Sequence, residues 1–166
     1  IADFTGENRA VMLAESGFGQ GETQVTPFAI ARMTLALASE GMVLEPYVIE
    51  RITSPSGKAI RQARAREEGR AISAETARTV AGMMVDVVED GTGKVAQIDG
   101  VEVAGKTGSA ENPHGRAHSW FTAFAPANDP QVVVTAVVEN AGAGSEVAGP
   151  IVREMMVHLL GRRGAL

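Results

Sequence analysis

The sequence predicts an α+β fold in which an antiparallel sheet is packed between helices. Two stretches, 26–41 and 73–89, carry apolar residues at helical spacing behind capping residues. Three β-rich stretches, 101–110, 118–125 and 131–139, follow one another with connections too short for a crossover helix. The chain then closes on one more apolar-striped helix, 151–160. Strands grouped this way, rather than alternating with helices, indicate α+β and not a βαβ repeat.

Taken in order, residues 1–25 are rich in glycine and read as irregular, ending in GFGQGETQV. Thr26 offers an N-cap and Pro27 a first helical residue whose missing N–H costs nothing there. Ile30, Met33, Ala36 and Leu37 make the stripe of this helix, and Gly41 stops it. Tyr47–Thr53 reads as a strand, SPSG at 54–57 as its turn and KAI at 58–60 as the return strand. Residues 62–70 are polar and read as an exposed connection. Ser73 is the N-cap of the second helix, with Glu75 in its first turn. Val80, Met83, Met84, Val87 and Val88 form its predicted core stripe, both methionines serving as core filler. NDP at 128–130 turns the last two strands into a hairpin, and the loop 111–117 is short enough to return the first onto the second. NAGAGSEVAG leads through Pro150 into the final helix.

At 166 residues, with 45% hydrophobic and 21% charged side chains, the chain suits one domain or a large part of one. Its net charge of −5 is spread along the sequence and leaves no basic footprint for nucleic acid. No apolar run is long enough to cross a bilayer. Without cysteine, these residues hold no thiol nucleophile, disulfide or thiolate metal site. The opening IADFTGENRA has no methionine, which points to a piece of a larger protein.

The chemistry concentrates in GKTGSAEN, residues 105–112. Neighbouring strand side chains face opposite ways, so Lys106 and Thr107 serve one ligand only if it lies along the strand's edge. Gly108 has no side chain to keep a ligand's backbone away. The free N–H and C=O groups of an edge strand grip an extended peptide. Lys106 supplies a point charge, Thr107 and Ser109 supply hydroxyls for a carboxylate, and the Ser109 N–H suits a developing oxyanion. The plainer alternative is a strand that ends in a polar turn. Elsewhere the signals are weak. GTGK at 91–94 lacks phosphate-loop spacing. His114 and His118 have H-x-x-x-H spacing, but Pro113 and Gly115 make this stretch a loop and the two need not converge, so neither a metal site nor any cofactor is expected. His118 and Ser119 are adjacent on a strand and face apart. Glu67/Glu68 and Glu89/Asp90 read as solvated ends.

KTGS resembles the lysine-Thr/Ser-Gly motif of penicillin-binding proteins and serine β-lactamases. Its surroundings make the resemblance specific. SWFTAFAP at 119–126 is similar to the Trp/Phe-Phe-x-x-Phe-x-Pro that follows the motif in transpeptidase domains. GQGETQVTPFAIARMTLALASEG at 19–41 is similar to the Gly-Gln-Gly stretch and Val-Thr-Pro helix that precede it, and YVIERITSPSGKAI looks like the family's hairpin. In order and extent the chain resembles the C-terminal part of the transpeptidase domain of a class B penicillin-binding protein, with the flavour of the actinobacterial penicillin-binding protein A type.

That resemblance implies a catalytic and substrate-holding role for Lys106, in the proton network and against the substrate's carboxylate. It implies carboxylate hydrogen bonds from Thr107 and Ser109, an oxyanion-donating N–H at Ser109, and a flat substrate-facing strand at Gly108. The partners it implies are peptidoglycan stem peptides, penicillin and other β-lactams, the N-terminal half of the same domain, and division proteins. It also implies work at the extracytoplasmic face of the bacterial membrane, with an anchor outside these residues. The family's nucleophile sits in Ser-x-x-Lys, with a second motif Ser-x-Asn. Serines 16, 39, 54, 56, 73, 109, 119 and 145 match neither pattern. The expectation is therefore the second half of a transpeptidase domain, inactive alone. Rival expectations are a catalytically silent peptide-binding or division scaffold, and a β-lactam sensor or β-lactamase.

Overall fold

The computed structural model describes residues 9–21 and 23–164. Along the chain run α1 (Arg9–Gly17), α2 (Pro27–Ala38), β1 (Met42–Leu44), β2 (Arg51–Thr53), β3 (Ala59–Gln62), β4 (Glu67–Arg70), α3 (Ala74–Glu89), β5 (Ala104–Ala110), β6 (His118–Ala125), β7 (Val132–Val138) and α4 (Ala148–Arg163). The main sheet is antiparallel in the order β5-β6-β7; β1 pairs with β4 and β2 with β3. Helices pack on both faces of the sheet, the architecture expected from the sequence.

Local chemistry sets the helix ends. The Thr26 hydroxyl accepts the Ala29 N–H at 3.1 Å, and the Ser73 hydroxyl accepts the Thr76 N–H at 3.0 Å. Each cap is worth about 1 kcal/mol. The Gly41 N–H closes α2 by donating to the Ala36 carbonyl at 2.7 Å. Gly41 has φ +89, and a Cβ there would sit 2.1 Å from the Ile72 carbonyl oxygen, so no other residue fits.

One face of the sheet is sealed by α4. Phe121, Ala123 and Val134 meet Val152, Met156 and Leu160 in the main core, and Phe121, Val152, Met156 and Leu160 are at most 1% exposed. α2 and α3 lie on the other face. There Ala104 and Phe124 pack with Met84, and a hydroxyl row crosses under α2. Thr34 donates to the Ile30 carbonyl at 2.9 Å, Thr122 lies 2.8 Å from Thr34, and Thr135 lies 2.6 Å from Thr122. Each hydroxyl has one proton, so Thr122 donates to Thr34 and Thr135 to Thr122, and the buried Thr34 is satisfied.

Several expectations need correction. Residues 9–17, read as irregular, form α1; residues 1–8 and 22 lie outside the described residues. Of the predicted strand 47–53 only Arg51–Thr53 forms a strand; one further bond, from the Ala63 N–H to the Glu50 carbonyl at 2.7 Å, lies beyond its ladder, and Val48 is fully exposed. The polar connection 62–70 contains β4, which has no apolar alternation to announce it. It is held by its ladder to β1 and by an Arg32–Glu68 ion pair at 2.6 Å. Met33 and Met83 point to solvent at 57% and 60% exposure, while Met84 is buried as core filler. The final helix starts at Ala148, placing Pro150 in its first turn, where no N–H is needed.

Candidate functional site

β5 carries GKTGS and lies at one edge of the sheet. Its register on β6 pairs Lys106 with Thr122, Thr107 with Phe121, Gly108 with Trp120 and Ser109 with Ser119. Alternation therefore sends Lys106 to the α2 side, beside Thr122 and Trp120, and Thr107 and Ser109 to the α4 side. Lys106 is exposed, and Trp120 half-buried. Phe121, the other aromatic of SWF, belongs to the sealed core.

Two side chains reveal which backbone groups face outward. The Lys106 Nζ donates to the Thr107 carbonyl at 2.8 Å, and the Gln20 Nε2 donates to the Ser109 carbonyl at 3.1 Å. In an antiparallel strand the N–H and C=O of one residue leave on the same side. Thr107 and Ser109 thus present their N–H and C=O on the open edge, while Lys106, Gly108 and Ala110 carry the ladder to β6. The edge offers an extended ligand an N–H and C=O at alternate residues, with an ammonium beside them. An N–H fixed in this way is a preorganised donor for developing negative charge.

The back of the strand is braced. The Thr107 hydroxyl lies 2.8 Å from the Thr92 hydroxyl, and the Ser109 hydroxyl accepts the Gly144 N–H at 3.4 Å. The buried Ser119 hydroxyl donates to the Ala143 carbonyl at 2.8 Å and accepts the Ala148 N–H at 3.0 Å. Gly144 rests against the Gly108–Trp120 pair so closely that a Cβ would lie 2.2 Å from the Trp120 carbonyl oxygen. The structure thus brings Lys106, Thr107, Gly108 and Ser109 together on one strand, with the Ser109 hydroxyl turned away from the Lys106 side. His118 and Ser119 do face apart: the His118 Nδ1 accepts the Asn140 N–H at 3.0 Å.

Gln20 and Thr92 belong to this neighbourhood and were not singled out from the sequence. Gln20 stands in the Gly-Gln-Gly stretch, a local signal without a stated partner. Thr92 lies 15 residues from its partner, a proximity that needs the fold. A hollow of about 590 Å³ adjoins the far end of β5, lined by Glu15, Phe18, Gln20, Gly21, Glu111 and Asn112 among others.

Residues 3–157 match the family model for the penicillin-binding protein transpeptidase domain. The chain is 36% identical over 155 residues to the peptidoglycan D,D-transpeptidase PbpA of Mycolicibacterium smegmatis, covering 87% of this chain and 31% of that protein. It is 33% identical over 157 residues to the stage V sporulation protein D of Bacillus subtilis, covering 86% and 24%. Its fold is similar to penicillin-binding protein A from M. tuberculosis in a ceftriaxone acyl-enzyme complex, with TM-score 0.84, 31% identity and coverage of 89% and 35%. The D,D-transpeptidase domain of a peptidoglycan glycosyltransferase from Eggerthella lenta gives TM-score 0.80 at 34% identity, with 86% and 34% covered. The chain spans about a third or less of the length of these relatives.

Proposed function

This chain belongs to the penicillin-binding protein transpeptidase-domain family, and from that premise we propose that it is the C-terminal portion of a serine D,D-transpeptidase domain. The domain cross-links peptidoglycan stem peptides and is acylated by penicillin and other β-lactams. The observation that carries this reading is the open edge of β5, where the Lys106 ammonium adjoins the outward N–H and C=O of Thr107 and Ser109. In the reaction a serine hydroxyl attacks a stem-peptide carbonyl and passes its proton to a base. The peptide bond breaks, releasing the terminal residue, and a second stem peptide's amine then takes the acyl group and restores the serine.

Within that scheme Lys106 holds the proton network and the ligand's carboxylate. Thr107 bonds the same carboxylate in exchange for Thr92. Gly108 lets the ligand's backbone lie flat, and the Ser109 N–H donates to the oxyanion. The position of the Ser109 hydroxyl supports bracing from behind, against Gly144, more directly than contact with the carboxylate. None of the chain's serines has the Ser-x-x-Lys or Ser-x-Asn pattern, so the nucleophile and its base come from another segment of the domain. Exposed apolar side chains on α1 and α2, namely Val11, Leu13, Phe28 and Met33, support docking of that segment there. The same proposal has the protein work on the outer face of the cell membrane, beside division or elongation partners.

The test is covalent labelling of the complete polypeptide that carries this sequence with a fluorescent penicillin. The wild type takes up label, and Lys106→Ala slows labelling at least ~100-fold. Absence of label on the wild type rejects the enzymatic reading in favour of a silent peptide-binding module, and equal labelling of wild type and Lys106→Ala rejects the role given to Lys106.

A further inference from the structure

We propose that Gln20 is a specificity-determining residue of the β5 edge, a built-in competitor for the backbone position that an amide-bearing ligand needs. Its carboxamide donates to the Ser109 carbonyl at 3.1 Å. That carbonyl is on the open side of β5, the side on which an extended ligand adds as a further strand. A peptide laid along β5 donates its own N–H to the same oxygen, so Gln20 and the ligand's amide occupy one place.

The chain is shaped to deliver Gln20 there. α1 ends in a tight turn in which the Phe18 and Gln20 N–H groups both donate to the Glu15 carbonyl, at 3.2 and 2.9 Å. Gly19 and Gly21 flank Gln20 at φ +80 and +75, conformations that glycine adopts without strain. The turn therefore lifts Gln20 out of the path of α1 and aims it at the sheet. Among the described residues, its bond to Ser109 is the one hydrogen bond from residues 9–21 to the sheet. α1 itself has no buried side chain. A single bond between neutral, exposed groups is weak enough to exchange for a ligand's.

Chemistry follows from that exchange. A ligand with an acylamido N–H at this position has to displace Gln20. A ligand without such a donor leaves Gln20 in place and gains nothing from its removal. Gln20 thus narrows the advantage of amide-bearing ligands, peptides and penicillins alike, over ligands that lack the amide.

This inference rests on the transpeptidase reading, and the experiment separates the two. Second-order acylation rates are measured on the complete polypeptide with penicillin G, which carries an acylamido N–H, and with imipenem, which carries a hydroxyethyl group instead. Gln20→Met keeps the side chain's length without a donor, and Gln20→Asn keeps the donor but shortens its reach. Both variants acylate about three- to tenfold faster with penicillin G, the worth of one neutral hydrogen bond, and change less than about twofold with imipenem. Melting temperatures equal to wild type confirm intact folding. Rates unchanged with both ligands, or changed equally for both, overturn the competitor role and leave the transpeptidase reading standing. Absence of any acylation of the wild type rejects that reading itself.

Discussion

The two faces of the β5-β6-β7 sheet are built differently. The face under α4 is dry and interdigitated: Phe121, Val152, Met156 and Leu160 are at most 1% exposed. The opposite face has its apolar cluster with α2 and α3 at the Ala104–Phe124 end. Beyond it come the hydroxyl row Thr34–Thr122–Thr135, then Lys106 in the open. A sheet needs one sealed face to hold its register. Once that is secured, the other face can spend side chains on polarity. The division separates packing from exposed polarity across one strand's thickness: Thr107 and Ser109 lean on the sealed side, while Lys106 stands on the open one.

Substitutions that respect or cross this division test it. Phe121→Ala, on the sealed face, removes a ring packed among residues of the main core and costs about 3–5 kcal/mol, read as a lowered urea midpoint. Thr122→Val, within the hydroxyl row, leaves Thr34 and Thr135 each short of a partner and costs about 1–3 kcal/mol in the same assay. Lys106→Met, in the open, changes stability by less than about 0.5 kcal/mol, since an exposed side chain bonded only to its neighbour's carbonyl contributes little to folding. A loss near that of Phe121→Ala at Lys106 breaks the distinction, because the open face is then structural as well.

The same division decides what was legible in the sequence. Caps and periodicity are local, so Thr26, Ser73 and the three strands of the meander could be read directly. Lys106, Thr107, Gly108 and Ser109 stood out because a polar cluster in a β-rich stretch is unusual and because their surroundings resemble a known family. β4 could not be read. Glu67–Arg70 has no apolar alternation, and its pairing depends on β1, more than 20 residues upstream. Met83 was misplaced because the helix turns Val80, Met84 and Val88 inward, and Met83, about 100° round the axis from Met84, falls outside that face. Gln20 was visible as a residue but not as a contact: 89 positions separate it from Ser109, and only the closed fold shows that they meet.

Gly144 lies against the backbone of Gly108 and Trp120 with no room for a Cβ, and Ser109 and Ser119 are hydroxyl-bonded to the same segment. The alignment of β5 on β6 is therefore fixed from behind, by atoms outside the turn that joins the two strands. The exposed residues 113–116 are relieved of that duty. Changes in their number or composition, or an inserted reporter, are expected to leave the register of β5 on β6 in place.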